Sequence, residues 1–167
     1  GTFFVSDGYT GTRVAKFDKN GKFLMQWGIK GNPPNETRPN YMNNVHGVAV
    51  DPISRRVFVN DRNNHRVQVF DENGKFLYSW RIDADPSSLH LLYIGQDRNI
   101  WTFDRSTHKL LKYDQQGHLL YAWGTLGMFP GALWGVHGMS VDMDGNLYVS
   151  EVDSGRVQKF RPKPGAN

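Results

Sequence analysis

Three histidines stand at one position of a recurring pattern, and they are the residues of this chain best suited to metal chemistry. They sit in Val45-His46-Gly47-Val48-Ala49-Val50-Asp51, in Leu89-His90-Leu91-Leu92-Tyr93-Ile94-Gly95 and in Val136-His137-Gly138-Met139-Ser140-Val141-Asp142. Each His opens a short apolar run that leads into a turn. Imidazole is the commonest zinc ligand, and three His with an open fourth position make a catalytic site. A repeat can equally carry a His because its ancestor did, with the ring hydrogen-bonded to a neighbouring loop. The chain contains no Cys, which removes disulfides, thiolate nucleophiles and Cys-type zinc sites.

Which reading holds depends on the elements that must bring these positions together. The same sequence signs recur four times. The first unit carries Phe3-Phe4-Val5-Ser6-Asp7, Arg13-Val14-Ala15-Lys16-Phe17-Asp18, Gly21-Lys22-Phe23-Leu24 and Trp27. The second repeats them as Val57-Phe58-Val59-Asn60-Asp61, Arg66-Val67-Gln68-Val69-Phe70-Asp71, Gly74-Lys75-Phe76-Leu77 and Trp80. The third has Ile100-Trp101-Thr102-Phe103-Asp104, Lys109 to Asp114, Gly117-His118-Leu119-Leu120 and Trp123, and the fourth stops after Arg156-Val157-Gln158-Lys159-Phe160. Each unit holds short runs rich in Val, Phe, Tyr and Trp, punctuated by Asn-Gly, Gln-Gly and Asp-Gly turns. No stretch shows a helical period over ten or more residues.

Four short antiparallel strands per unit of about 40–50 residues is the blade of a β-propeller. The expected fold is therefore all-β, with about three and a half blades. Residues 1–167 would form part of a single propeller domain: a partial blade at 1–28, blades at 45–80 and 88–124, and a partial blade at 136–161. Such a set does not close a ring, so the remaining blades are expected from the rest of a longer chain or from another copy. The histidine run would be the innermost strand, and His46, His90 and His137 would ring the channel mouth. In a six-bladed ring, His46 and His137 lie in alternate blades with His90 between them. Ligands from alternate blades converge symmetrically on the axis, so the symmetric third ligand would come from a blade absent here. Two loops precede histidine strands: residues 28–45, expected to cover one face of the channel, and residues 125–136, expected to plug the core with Met128, Phe129 and Trp134.

Composition limits the partners. At 167 residues, 38% hydrophobic and 22% charged, the chain reads as one globular core. No apolar run approaches the ~20 residues of a membrane helix, so no membrane association is expected. The net charge of +4 is scattered through turns, which makes nucleic acid an unexpected partner. The start, Gly1 to Asp7, reads as mid-strand and shows no signal peptide.

The pattern of an inner strand, a V-x-V-x-D strand, R-V-x-x-F-D and G-K-F resembles the NHL repeat. Within that family, Asp7-Gly8-Tyr9 followed by Arg13-Val14 is similar to the bacterial type of peptidyl-α-hydroxyglycine α-amidating lyase. So are Gln26-Trp27-Gly28, His46 at an inner-strand start, and Asp61-Arg62-Asn63-Asn64 leading to Arg66. The likeness is strongest over residues 3–71 and resumes near His137. It implies a six-bladed ring with zinc on its axis and cleavage of a carbinolamide C–N bond to an amide and glyoxylate. The peptide or small-molecule substrate would lie in the central channel. By motif, His46 and His137 fall on two zinc ligands, Tyr9 on a proposed general base and Arg62 on an active-site arginine. The third His and a second arginine would precede residue 1. His90 has no ligand counterpart and is expected to be structural, to support a ligand, or to serve as an alternative one. A structural calcium is doubtful because His137 is followed by Gly138 where the family has Asp. The resemblance favours a periplasmic or secreted location. The competing expectation is a non-catalytic NHL propeller that binds a protein, peptide or RNA on one face.

Overall fold

The computed structural model describes residues 1–82 and 88–163; the last four residues of the expected domain lie outside that range. The fold is a run of antiparallel β-sheets stacked as propeller blades. The first blade has three strands, β1 (Thr2–Asp7), β2 (Arg13–Asp18) and β3 (Phe23–Trp27). A short parallel ribbon follows, β4 (Ile29–Lys30) with β5 (Tyr41–Met42). The second blade is four-stranded: β6 (Val45–Val50), β7 (Val57–Asp61), β8 (Arg66–Phe70) and β9 (Phe76–Arg81). The third comprises β10 (Tyr93–Ile94), β11 (Ile100–Asp104), β12 (Lys109–Tyr113) and β13 (Leu119–Trp123). The fourth has β14 (Val136–Val141), β15 (Leu147–Glu151) and β16 (Arg156–Phe160). Arg62–Asn64 forms a single 3-10 turn between β7 and β8.

One hairpin design explains the recurrent Phe/Tyr-Asp…Gly pattern. Asp18, Asp71 and Asp114 each turn a carboxylate oxygen back onto two backbone N–H groups of their own turn. This Asx arrangement fixes the bend, and Gly21, Gly74 and Gly117 take the left-handed conformation that completes it. The glycine also serves the neighbouring blade. A Cβ on Gly117 would stand 2.4 Å from Trp80 Cγ, and one on Gly74 would stand 3.0 Å from the Trp27 ring. Trp27 and Trp80 thus pack beneath the next blade's hairpin, while Trp123 meets Phe160 of the fourth blade edge-on at 4.8 Å between ring centroids.

The core lies between blades, where alternating strand residues interdigitate. Phe4, Val14, Trp27, Val45, Val57, Val59 and Phe70 join the first and second blades. Phe58, Val67, Val69, Trp80, Ile100 and Tyr113 join the second and third, and Phe103, Leu110, Leu133, Val136, Val149 and Phe160 the third and fourth. Phe3, Val5, Phe23 and Leu24 stay exposed on the free face of the first blade. In the loop at 125–136 the plug is Ala132 and Leu133, both fully buried, whereas Met128 and Phe129 are exposed.

Two of the three histidine strands carry the same irregularity. Val45 pairs with Asp61 and Gly47 with Asn60, leaving His46 as the extra residue of a β-bulge. Val136 pairs with Glu151 and Gly138 with Ser150, leaving His137 in the same state. A bulge re-aims a side chain out of the sheet's alternation. The third blade differs: β10 has shrunk to two residues, and His90 precedes it, fixed by the Leu89–Asp104 bridge and by its own N–H donating to Phe103 O at 2.9 Å.

Candidate metal and substrate site

The structure brings His46, His90 and His137 into one nearly equilateral cluster. Ring centroids lie 4.9 Å apart for His46–His90, 4.9 Å for His46–His137 and 5.1 Å for His90–His137. One ring nitrogen from each lies within 4.8 Å of the others. His90, which blade symmetry placed between two ligands, is an equal corner of this triangle. Gly47 permits the approach: a Cβ there would sit 3.1 Å from the Leu92 nitrogen.

The protonation chemistry suits a cation. His46 Nδ1 lies 2.5 Å from the His90 carbonyl oxygen, which can only accept, so Nδ1 carries the hydrogen and Nε2 the lone pair. That Nε2 is buried without a hydrogen-bond partner, as are both ring nitrogens of His90. Buried polar atoms are rarely left so, and a metal ion is one of the groups that satisfies them. Burial lowers the His46 pKa, and the charge of Arg62 and the nearby His137 push it the same way. His90 is lowered to about 3, chiefly by burial, then by Arg62, His46, His137 and Arg105. Both rings are therefore neutral at pH 7, the form that binds metal. The donor set fits zinc, and His46, His90 and His137 are the residues that would hold it.

Tyr9 and Arg62 flank the cluster. The Tyr9 ring meets His46 edge-on at 5.2 Å between centroids, and 69% of the residue is exposed. Gly8 lets its loop lie on the histidine strand, since a Cβ there would be 2.6 Å from Val45 O. Arg62 donates from Nε to Ser88 Oγ at 3.1 Å. Burial lowers its pKa while the neighbouring Tyr9 raises it. Arg62 also lines an open depression of about 380 Å³ with Pro33, Pro34, Asn63, His65 and Ser88. The loop at 28–45 thus forms one bank of the site.

Two contributors escaped the sequence reading. Asn44 ties the flanking groups together: its Oδ1 accepts from Tyr9 N at 2.9 Å and its carbonyl from Arg62 N at 3.3 Å. Arg105 stands in the third blade where Arg62 stands in the second, pairs with Asp153 at 2.7 Å, and its charge reaches both Arg62 and His90. Its signal was visible, because Asp104-Arg105 repeats Asp61-Arg62.

The loops above the site are bolted down by buried ion pairs. Asp61 accepts from Arg66 Nε at 2.8 Å, Gln68 Nε2 at 3.1 Å and Asn43 N at 2.8 Å. Arg66 and Gln68 in turn donate to the Tyr41 carbonyl. Glu151, Arg156 and Gln158 repeat the device in the fourth blade, with Arg156 and Gln158 both donating to Ala132 O at 2.7 Å.

Comparison with known proteins agrees with this architecture. Residues 42–70 match the NHL repeat model. A Xenopus laevis protein named peptidyl-glycine alpha-amidating monooxygenase A is 40% identical over 78 residues, covering 46% of this chain and 8% of that protein. A Drosophila melanogaster protein named peptidyl-alpha-hydroxyglycine alpha-amidating lyase 1 is 32% identical over 80 residues, 46% of this chain and 15% of its own. A Caenorhabditis elegans protein named "Probable peptidyl-alpha-hydroxyglycine alpha-amidating lyase" is 22% identical over 165 residues, 96% of this chain and 46% of its own. The chain spans less than half the length of each of these relatives. Among solved structures, a virginiamycin B lyase from Staphylococcus aureus superposes with a TM-score of 0.65 at 16% identity, covering 99% of this chain and 54% of that one. A streptogramin B lyase gives 0.61 at 17% identity, covering 93% and 50%. These neighbours are β-propellers, and the likeness establishes the fold.

Proposed function

We propose that this protein is a zinc-dependent lyase that cleaves the C–N bond of a peptidyl-α-hydroxyglycine or a related carbinolamide. The observation that carries the reading is the convergence of three imidazoles, with buried unpartnered nitrogens on His46 and His90, between a tyrosine and an arginine. The lyase-named relatives support the substrate class.

Bound zinc would supply Lewis-acid acidification of the substrate hydroxyl. Tyr9, acting as the phenolate, takes the hydroxyl proton and becomes the phenol as the carbonyl of glyoxylate forms. The C–N bond breaks, its electron pair goes to nitrogen, and the same phenol returns the proton there, giving the primary amide. Arg62 grips the substrate carboxylate, a geometry to which a guanidinium is suited. Asn44 positions both groups through its contacts to Tyr9 N and Arg62 N. Asn63, Pro33 and Pro34 wall the side from which a peptide would enter.

The test is the metal content of the purified protein together with glyoxylate release from an N-acyl-α-hydroxyglycine. We expect near one equivalent of zinc, its loss in His46→Ala, and glyoxylate production that falls in Tyr9→Phe without loss of zinc. A metal-free protein that releases no glyoxylate would overturn the reading and leave a non-catalytic binding propeller.

A further inference from the structure

The junction between the third and fourth blades is open where the preceding junction is closed. The turn after the inner strand is built alike in the second, third and fourth blades. Asp51 N donates to Arg56 O, Gly95 N to Asn99 O, and Asp142 N to Asn146 O. Each turn holds one left-handed residue: Arg55 at φ 61°, Arg98 at φ 63° and Gly145 at φ 80°. These contacts make Asp51 equivalent to Gly95, and Arg98 equivalent to Gly145.

Between the second and third blades, the fully buried Asp51 carboxylate receives Arg98 Nη2 at 2.5 Å and Gln115 Nε2 at 3.0 Å, and this pair seals the junction. One blade further on, the same two positions are glycines. Neither side chain exists, and a cleft of about 370 Å³ opens in their place. Its walls are Tyr93, Trp101, Met139, Val141 and Leu147, with Asp97 and Lys112 at the rim.

We propose that this cleft binds a small, neutral, planar aromatic molecule of one or two rings bearing a hydrogen-bonding substituent. The volume lies at the low end for small-molecule sites and is too small for a peptide. Two aromatic walls and a thioether favour a flat ring. Lys112 Nζ lies 2.6 Å from Asp97 Oδ2 and 5.2 Å from the Trp101 ring centroid. The rim charges satisfy each other, so a charged ligand would have to break that pair, while a neutral one can share its hydrogen bonds. The cleft is separate from the imidazoles. Val141 ends the strand in which His137 lies near the start, roughly 13 Å away at ordinary strand rise. The proposal does not depend on the lyase reading.

The test is titration of the purified protein with 5-fluoroindole, followed by fluorine NMR. Saturable binding is expected, and it should weaken at least about tenfold, or 1.4 kcal/mol, in the double variant Gly95→Asp/Gly145→Arg, which rebuilds the neighbouring seal. The turn accepts Arg, as Arg55 and Arg98 show; a Cβ on Gly95 would meet Asp97 Oδ1 at 2.8 Å and the Trp101 ring at 3.5 Å, and one on Gly145 would meet Pro162 Cγ at 3.3 Å, all side-chain atoms. Leu147→Phe, which fills the cleft from the other side, should weaken binding likewise and decides the matter if the double variant does not fold. His46→Ala should leave binding unchanged. Absence of saturable binding, or binding indifferent to the filling substitutions, would overturn the proposal.

Discussion

The second and third blades carry equivalent histidines and hold them in different ways. In the second, His46 bulges from a six-residue strand, and Asp61, Arg66 and Gln68 bolt the loop above it. In the third, His90 precedes a two-residue strand, and Lys109 and Leu111 stand where Arg66 and Gln68 would. Asp104 is satisfied locally instead, by Ser88 N, Ser106 N and Thr107 Oγ1. The fourth blade, with its bulged His137 and its Glu151–Arg156–Gln158 bolt, sides with the second. The bolt therefore goes with the long loop in front of a blade, not with the histidine. Loops 28–44 and 124–135 carry carbonyls that need donors, Tyr41 O and Ala132 O among them, whereas among the described residues just before His90 the Ser88 carbonyl accepts from the backbone N–H of Arg105.

Breaking the bolt should have the largest effect. Asp61→Ala leaves the buried Arg66 guanidinium without its anion, which costs on the order of 3–5 kcal/mol. The urea midpoint should fall accordingly, and loop 28–44 should become sensitive to limited proteolysis. Lys109→Ala, at the third-blade position that corresponds to Arg66, should stay within about 0.5 kcal/mol of the parent. Equal losses in the two variants would mean that the bolt does not distinguish the blades.

The shortened inner strand of the third blade should not weaken its histidine as a ligand. The three rings form one triangle, so His90→Ala and His46→Ala should each lower zinc affinity by more than the roughly 10–100-fold typical of supporting partners, measured by competition with a chromogenic chelator. Loss in His46→Ala alone would make His90 a bystander.

Much of this was legible in the sequence because it is local. The Asx-Gly hairpins, the strand order and the recurring Trp follow from short spacings, and the second blade, where the NHL match falls, could be read almost whole. The position of His90 could not. Blade counting assigns a side chain its sector of the ring, but the lean of its strand depends on bulges. The two bulges that release His46 and His137 from strand alternation depend on Gly47 and Gly138 pairing one residue out of step. Asn44 was hidden in an irregular loop, and its role depends on Tyr9 and Arg62 arriving from two different blades. The cleft was invisible because it consists of two missing side chains, Gly95 and Gly145, whose equivalence to Asp51 and Arg98 appears only once the turns are superposed.

That equivalence sets the smallest expected effect. The guanidinium of Arg98 holds the Asp51 carboxyl far below the ordinary carboxylate range, aided by Ser54, Gln115 and the Ile53 N–H and opposed by burial. In the unfolded chain the group titrates near its ordinary 3.8. At acid pH the unfolded chain thus binds a proton that the folded one does not. The stabilisation is complete above that value and is lost as pH falls below it. Asp51→Asn should cost about 1–2 kcal/mol at pH 7, and its stability should decline less on acidification, so that the two urea-midpoint curves converge below about pH 3. The third blade has nothing to titrate at Gly95, so installing Gly95→Asp with Gly145→Arg should steepen the acid limb by a comparable amount. Parallel curves for parent and Asp51→Asn would mean that packing alone closes the junction, and that the two glycines are not what opens the next one.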